Sequence, residues 1–375
     1  MDFQFNEEQS AFADMARGLF ADYCGDEQLR EHDRSGRPFM QPLWQQCVAA
    51  GLHGIVVPEA AGGLGLGATA LMAVLEQQGR ALAQVPLWQQ QVAVAALARF
   101  GGDGQGDGQS IDAVIKAAMQ GELLALSLQG LTASRGAPLR LADQRLSGRL
   151  QAVALAGQAR WALVAAEDQR GGHALVLVDL QAAGVHRVQG MRQDYCGVAD
   201  LGFEGTPVLA VLGAGAAAWA QEQATACLAA LQQGLTQEQL RRTVEYVSER
   251  QQFDRPIGTF QLVQGQMADG YILLQAQRSA LCQLVWRLDA GLPCAPQAHA
   301  VRAQSNELGL KVGRMAQHVH GGMGVDVTYP MHRFMLWCRA LAAELGSAEH
   351  HLQALGQWLA DHDCLGWKYD LPEDR

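Results

Sequence analysis

The stretch ERQQFDRPIGTFQ, residues 249–261, decides how the chain is read. Upstream of it, Cys227, Leu228, Leu231, Leu235, Leu240, Val244 and Val247 recur at helical spacing and form one apolar stripe. That period predicts a long helix carrying Arg250, Gln252 and Phe253 on its last turn, with a sharp turn at Pro256. Two explanations compete. Either the stretch is an ordinary helix end, or it is built to hold a diphosphate, for which an arginine fork is suited.

Outward from this stretch, the chain falls into three textures. From about Ala214 almost to the end the period is helical. Before that, LLALSLQ, QRLSGRLQAVAL, RWALVAAED, HALVLVDL and ADLGFEG are short runs broken by Gly, Asp and Arg. They predict strands of an antiparallel sheet or barrel. The first hundred residues read as helices. Asn6 and Gln9 are spaced as a capping pair, and Phe12, Met15, Ala16, Leu19, Phe20 and Tyr23 share one helical face. GGDGQGDGQS is a turn-rich linker. Helices, then strands, then helices is the block order of an α+β fold. The expected division is 1–120, a helical domain; 121–212, a β-domain; and 213–375, a helical bundle. There is no internal repeat.

Composition excludes several classes. The 375 residues are 49% hydrophobic and 18% charged, as in a chain with a real core and not a disordered one. The formal net charge is -10 and no Lys/Arg run stands out, which argues against a nucleic-acid partner. The acidic start MDFQFNEEQ has no apolar signal region, and no run approaches the length of a membrane span. The eight cysteines (24, 47, 196, 227, 282, 294, 338 and 364) include no CxxC pair. A reducing cytoplasm is therefore expected, with no zinc site or disulfide framework.

Three glycine clusters stand out. GGLGLG (residues 62–67) opens no crossover unit. GAGAAA (residues 213–218) fits a dinucleotide turn locally, but where a second strand and its acid should follow, LAALQQGLTQEQL is helical. The Rossmann reading is set aside for a loop and a small-residue helix start. In HVHGGMGVDVTYPMHR, Gly321, Gly322 and Gly324 allow close backbone approach. A helix end with a tight turn is the plain alternative. His318 and His320 lack the Cys, Asp or Glu that would complete a metal set, so no metal is expected.

Together these stretches resemble the acyl-CoA dehydrogenase family almost end to end. MDFQFNEEQSAFADMARGLF looks like its opening helix and GLHGIVVPEAAGGLGLG like its early Pro-Glu-x-x-Gly-Gly turn. ERQQFDRPIGTFQLVQGQMADGYI looks like its helix–turn–helix, and HVHGGMGVDVTYPMHR like its glycine turn. The resemblance implies an N-terminal helical domain, a middle β-domain and a C-terminal four-helix bundle. It implies FAD as cofactor, an acyl-CoA substrate desaturated between Cα and Cβ, and electron-transfer flavoprotein as acceptor. A glutamate would take the α-proton. In the family, the arm that carries Arg250, Gln252, Phe253 and Gln261 reaches the FAD of a neighbouring subunit, as does the turn at Gly321 and Gly322. His318 stands where glutamine is usual, Asp254 where glycine is usual, and Ser347 follows the Gly346 of the usual Gly-Thr pair.

The same resemblance breaks at the chemistry. One base position aligns with Leu345; the other, counted back without gaps and checked on Gly234, falls on Ala224. Glu344 is one residue away and Glu222 two, and at about 100° per helical residue neither is expected to face the pocket. SLQGLTASRGAP lacks the family's Glu-Pro, and Val153, Ala154 and Leu155 stand where a Trp-Ile-Thr strand should lie against the flavin. No catalytic residue is assigned. A dismantled pocket beside an intact arm suits one subunit of a hetero-oligomer with a homologous dehydrogenase subunit. RALAQVPL and the glycine turn are similar to paired bacterial acyl-CoA dehydrogenases that act on steroid side chains. An independent homo-oligomer with a relocated base, and a flavin-free binding or assembly protein, are the alternatives.

Overall fold

The expected capping pair forms at the start of the first helix. In the computed structural model, which describes residues 5–106, 108–132 and 138–362, Asn6 Oδ1 accepts from the Gln9 amide at 2.8 Å. Gln9 Oε1 accepts from the Asn6 amide at 3.0 Å, so two orphan donors of the helix start are satisfied reciprocally. Helices α1 (Glu7–Tyr23), α2 (Asp26–Ser35), α3 (Gln41–Ala49), α4 (Ala68–Ala81), α5 (Leu87–Phe100) and α6 (Gly108–Met119) follow in turn. Met15 is half exposed and so falls off the buried face expected of α1.

The sheet is mixed. Its strands are β1 (Gln105–Gly106), β2 (Leu124–Ser127), β3 (Arg140–Ala142), β4 (Arg145–Ala154), β5 (Trp161–Glu167), β6 (His173–Asp179), β7 (Val185–Met191), β8 (Gly197–Pro207) and β9 (Ala210–Val211). They run in the order β1-β9-β6-β5-β3-β4-β8-β7, with β2 also on β5. Most pairs are antiparallel as expected, but β2 and β3 run parallel to β5. Strands β5 and β6 feed two cores by alternation. Leu163, Ala165, Leu175 and Leu177 pack with the helices, while Val164, Ala166, Val176 and Val178 pack inside the β-layer with Leu146, Leu150 and Phe203.

The second helical block begins at Gly215 (φ +84°), the N-cap of α7 (Ala216–Glu249, 34 residues). Strand β9, before it, is two residues long and antiparallel to its neighbours, so GAGAAA is a helix start and no dinucleotide turn. Helices α8 (Gln261–Asp289), α9 (Ala295–His320), α10 (Met331–Ala343) and α11 (Ala348–Asp361) complete the bundle. Helix α4 of the first block crosses α7 at two glycines. A Cβ on Gly79 would sit 2.1 Å from the Leu231 carbonyl oxygen, and one on Gly234 would sit 1.8 Å from that of Glu76. Only glycine lets these backbones touch. Val244, expected in the stripe of α7, is 42% exposed. The seven cysteines among the described residues are free and buried; Cys364 lies outside them.

Candidate functional site

The stretch at residues 249–261 differs from its expected form. Helix α7 ends at Glu249, and Arg250 is its C-cap in extended conformation. Gln252 and Phe253 are not on a helix. Strands β10 (Gln251–Gln252) and β11 (Arg255–Pro256) pair antiparallel around Phe253 and Asp254. Both of those residues have positive φ, 55° and 61°. The turn is thus at Phe253–Asp254 and not at Pro256, because a two-residue hairpin loop with both centres left-handed matches the strand twist. Phenylalanine is poorly suited to that conformation. Its ring is 87% exposed and meets Phe260 edge-on at 6.2 Å, while the Arg255 guanidinium lies 4.1 Å over Phe260.

Polar groups of this arm face outward. Arg250 is exposed, and its guanidinium has no partner among the described residues. Gln252 is exposed, its amide donating to the Gln251 carbonyl at 2.8 Å. Gln261, the first residue of α8, is exposed too, as are His318, Gly321 (φ +59°) and Gly322. A Cβ on either glycine would meet nothing within 4 Å, so the backbone there is open to an approaching group. The two segments meet at one end of the bundle, because Tyr246 in the last turns of α7 stacks on His320 at 4.2 Å. Ser347 is not part of this group. It caps α11 by accepting from the His350 amide at 3.3 Å, and its neighbour Gly346 is bonded to Asn306, about 18 Å along α9 from His318.

A cavity of about 260 Å3 lies between β2, β4 and the turn after α10. Leu345 stands on its wall with φ 56° and is 7% exposed. The turn is clamped from behind. Arg302 Nη2 donates to the carbonyls of Leu341 and Glu344, Asn306 to that of Gly346 at 3.1 Å, and His351 Nε2 to that of Leu345 at 2.7 Å. Arg302 is fully buried, and burial pushes its pKa down to about 10 against the opposing charge of Glu344.

Glu344 does line this cavity, which corrects the expectation that it would point elsewhere. Helix α10 ends at Ala343 and Glu344 is extended (φ -75°, ψ 142°), so the rotation per helical residue no longer applies. Its carboxylate is engaged by Arg192 Nη1 at 2.6 Å. The same guanidinium is held by Asp194 through Nε and Nη2 at 2.8 and 2.9 Å. Burial works against the Arg192 charge, but its hydrogen bonds to Asp194 and the charge of Glu344 outweigh this and hold it above the ordinary arginine range. No other carboxylate lines the cavity among the described residues.

Trp88, Gln89, Gln129, Thr132 and Gln151 also line the cavity, but strand β4 brings no ring or hydroxyl to it. Strand β4 breaks register against β8 between Leu150 and Val153. Ala152 there has φ 48°, and its amide donates to Asp200 at 2.7 Å. Val153 is buried in the β-layer core and Leu155 in the helical one, so neither presents a ring or a hydroxyl. Ser127 is buried, and its hydroxyl on the cavity wall has no partner among the described residues. Residues 133–137 of the SLQGLTASRGAP stretch lie outside the described residues. Ala224 is in the core, and Glu222 beside it is half-buried and bonded to Cys294. Burial pushes the Glu222 carboxyl up, and it does not line this cavity. Arg192 escaped the sequence reading, since it belongs to no motif and reaches the site through distant Glu344; Ser127 opens the SLQGLTASRGAP stretch, but nothing local marks its place on the cavity wall.

Comparison with known proteins follows the same outline. Residues 6–107 match the family description "Acyl-CoA dehydrogenase, N-terminal domain", and residues 213–360 match "Acyl-CoA dehydrogenase, C-terminal domain". Acyl-CoA dehydrogenase FadE27 of Mycobacterium tuberculosis is 32% identical, over 96% of this chain and 99% of its own length. A chain of the ChsE4-ChsE5 complex from Mycobacterium tuberculosis superposes with a TM-score of 0.88 at 31% identity, covering 96% of this chain and 100% of that one. A chain of the Tcur3481-Tcur3483 steroid ACAD does so with a TM-score of 0.86 at 35% identity, covering 95% and 98%.

Proposed function

The chain belongs to the acyl-CoA dehydrogenase family, and we propose that it serves as the base-lacking subunit of a two-subunit enzyme, completing the FAD site of a homologous partner. One observation carries this reading. Its own cavity offers no free carboxylate, because Glu344 is tied to Arg192 and Leu345 occupies the base position, while the arm is exposed and unspent. The division at residues 120 and 212 belongs to the same proposal, as do a cytoplasmic setting, suited to buried free thiols, and electron-transfer flavoprotein as acceptor.

Bound FAD supplies the hydride acceptor for α,β-desaturation of an acyl-CoA thioester. The groups of this chain fit its diphosphate end. Arg250 presents an unpaired fork, Gln252 a carboxamide, and Gly321 and Gly322 a backbone that no Cβ blocks. Phe253 offers an exposed ring, and Gln261 and His318 add outward polar side chains. Asp254 brings a negative charge to the hairpin tip, with Arg255 next to it in the chain. The partner supplies the base. The likeness to a steroid ACAD favours a steroid-type acyl group as substrate.

The test is Arg250→Ala in the co-purified complex. Loss of one side of a charge-assisted contact at an interface costs about 2–5 kcal/mol, so FAD retention should fall tens-fold or more. An unchanged FAD-to-protein ratio, with the complex intact, would return Arg250 to a helix cap. A second reading, an independent homo-oligomer with a relocated base, draws on one fact: Glu344 reaches the cavity. It requires the chain purified alone to be yellow and to reduce an artificial acceptor with acyl-CoA.

A further inference from the structure

Helix α2 is too polar to be held by apolar packing. Of DEQLREHDRS, Leu29 alone is buried. What fastens the helix is charge. Asp26 accepts from Arg242 of α7, with 3.0 Å to each carboxylate oxygen. Arg30 donates through Nη2 to the carbonyl of Thr328. Asp33 accepts from Nε of Arg333, in the first turn of α10, at 2.5 Å. Positions 26, 30 and 33 are spaced i, i+4, i+7, which places all three on one helical face.

Their three targets bracket one segment. Thr328 lies at the far end of the connection from α9 to α10, the connection that opens with Gly321 and Gly322, and Arg333 lies just beyond it in α10. Arg242 is one turn before Tyr246, the ring under His320 at the near end. The connection has other restraints, and some are local. Asp326 accepts from the amide and the hydroxyl of Thr328, both at 2.8 Å, and the Asp326 amide donates to Met323 at 3.3 Å. The Tyr246 hydroxyl reaches Met323 Sδ at 3.9 Å and the Tyr329 ring meets His320 at 5.5 Å, so the loop is also held against α7 and the end of α9. The α2 face adds the tie to the first helical block.

We infer that Asp26, Arg30 and Asp33 are positioning residues, through which α2 sets the pose of the Gly321–Gly322 turn toward the partner's cofactor. The inference rests on the reading of that turn as part of the arm. The three ties are unequal. Asp33 and Arg333 have side chains only 13% and 5% exposed, so removing the charge of Asp33 leaves a buried guanidinium without its counter-charge. Asp26 and Arg242 are 46% and 27% exposed, and Arg242 keeps Glu238 at 2.9 Å, so that tie is weaker.

The experiment uses the co-purified complex, stripped of flavin and titrated with FAD, with the denaturation midpoint measured on the same samples. Mutations remote from a ligand change its affinity by amounts that correspond to about twofold to thirtyfold, and Asp33→Asn should weaken FAD within that range. Asp26→Asn should have the smaller effect, and Asp33→Glu should recover most of the loss. If Asp33→Asn does not assemble, Arg30→Gln removes one donor with less disturbance and is held to the same minimum of about twofold. A lowered midpoint with unchanged FAD affinity would make α2 a structural strap only and overturn the inference. Arg250→Ala, run in parallel, separates the two failures. If it weakens FAD and the α2 variants do not, only the inference falls; if neither does, the arm reading falls and takes the inference with it.

Discussion

Gly234→Ala should be among the most damaging single changes in the bundle. In an unobstructed helix the same exchange stabilises, since alanine loses less backbone freedom on folding; the gain is about 1 kcal/mol. Here the new methyl would land 1.8 Å from the Glu76 carbonyl oxygen and 2.7 Å from its carbon. Contacts below 3.0 Å are essentially never made, so α4 and α7 must part by at least about 1.2 Å. A gap of about 0.5–1 Å already forfeits a quarter to a half of each dispersion contact, and Leu75, Leu231 and Leu235 line this crossing. The shift also strains the contact of Glu76 with Arg278, which is 2.6 Å long with Glu76 nearly buried. Overpacking of this kind costs about 1–3 kcal/mol, and disturbing the ion pair adds to it. The expected net loss is about 2–4 kcal/mol, read as a fall in the urea midpoint at unchanged slope. Gly79→Ala meets Leu231 at 2.1 Å across the same crossing, so one separation relieves both clashes. The double variant should therefore cost clearly less than the two singles together. Gly18→Ala is the control, with nothing within 4 Å on the exposed face of α1, and should stabilise by about 0.5–1 kcal/mol. A Gly234→Ala protein as stable as wild type would mean that the helices do not cross as closely as described.

Further expectations concern the two halves of the site. Glu344→Gln and Glu222→Gln should each leave the activity of the reconstituted complex within a few-fold, whereas loss of a true general base costs about 10²–10⁴-fold, so a steady-state assay separates the cases. His351 is buried, and burial pushes its pKa down to about 3 although the Leu345 carbonyl pulls the other way. The unfolded chain then binds a proton that the folded chain refuses between about pH 6.5 and about pH 3. Its contribution is present above the upper limit and is lost as pH falls, by about 1.4 kcal/mol per unit at most. Unfolding measured across that window should show a shallower acid slope in His351→Asn, and an identical slope would refute the assignment.

Much of the fold could be read from periodicity, and the failures have separate causes. Strands β4, β5, β6 and β8 announced themselves because buried faces demand apolar residues. Strand β7 did not, since its residues from His186 onward are exposed and it is an edge that needs no apolar face. The hairpin at Phe253–Asp254 was missed because its left-handed positions carry no glycine or asparagine, the residues that mark such turns. Glu344 was misplaced because the helix stops one residue before it, and helix ends are where sequence patterns are least exact. Arg192 with Glu344, and Asp33 with Arg333, join positions more than 150 residues apart, and spacing along one chain cannot reveal such pairs.

Helix α7 joins two distant places by one rod. Ala224, near its start, and Arg250, just past its end, are about 39 Å apart at 1.5 Å per residue. Substitutions so far apart act independently. After a gene of this fold is duplicated, one copy can drift at the first place while selection preserves the second, and its sibling can do the reverse. Each copy then becomes indispensable to the other. Mutual dependence of that kind arises by erosion alone, without any new contact having to appear.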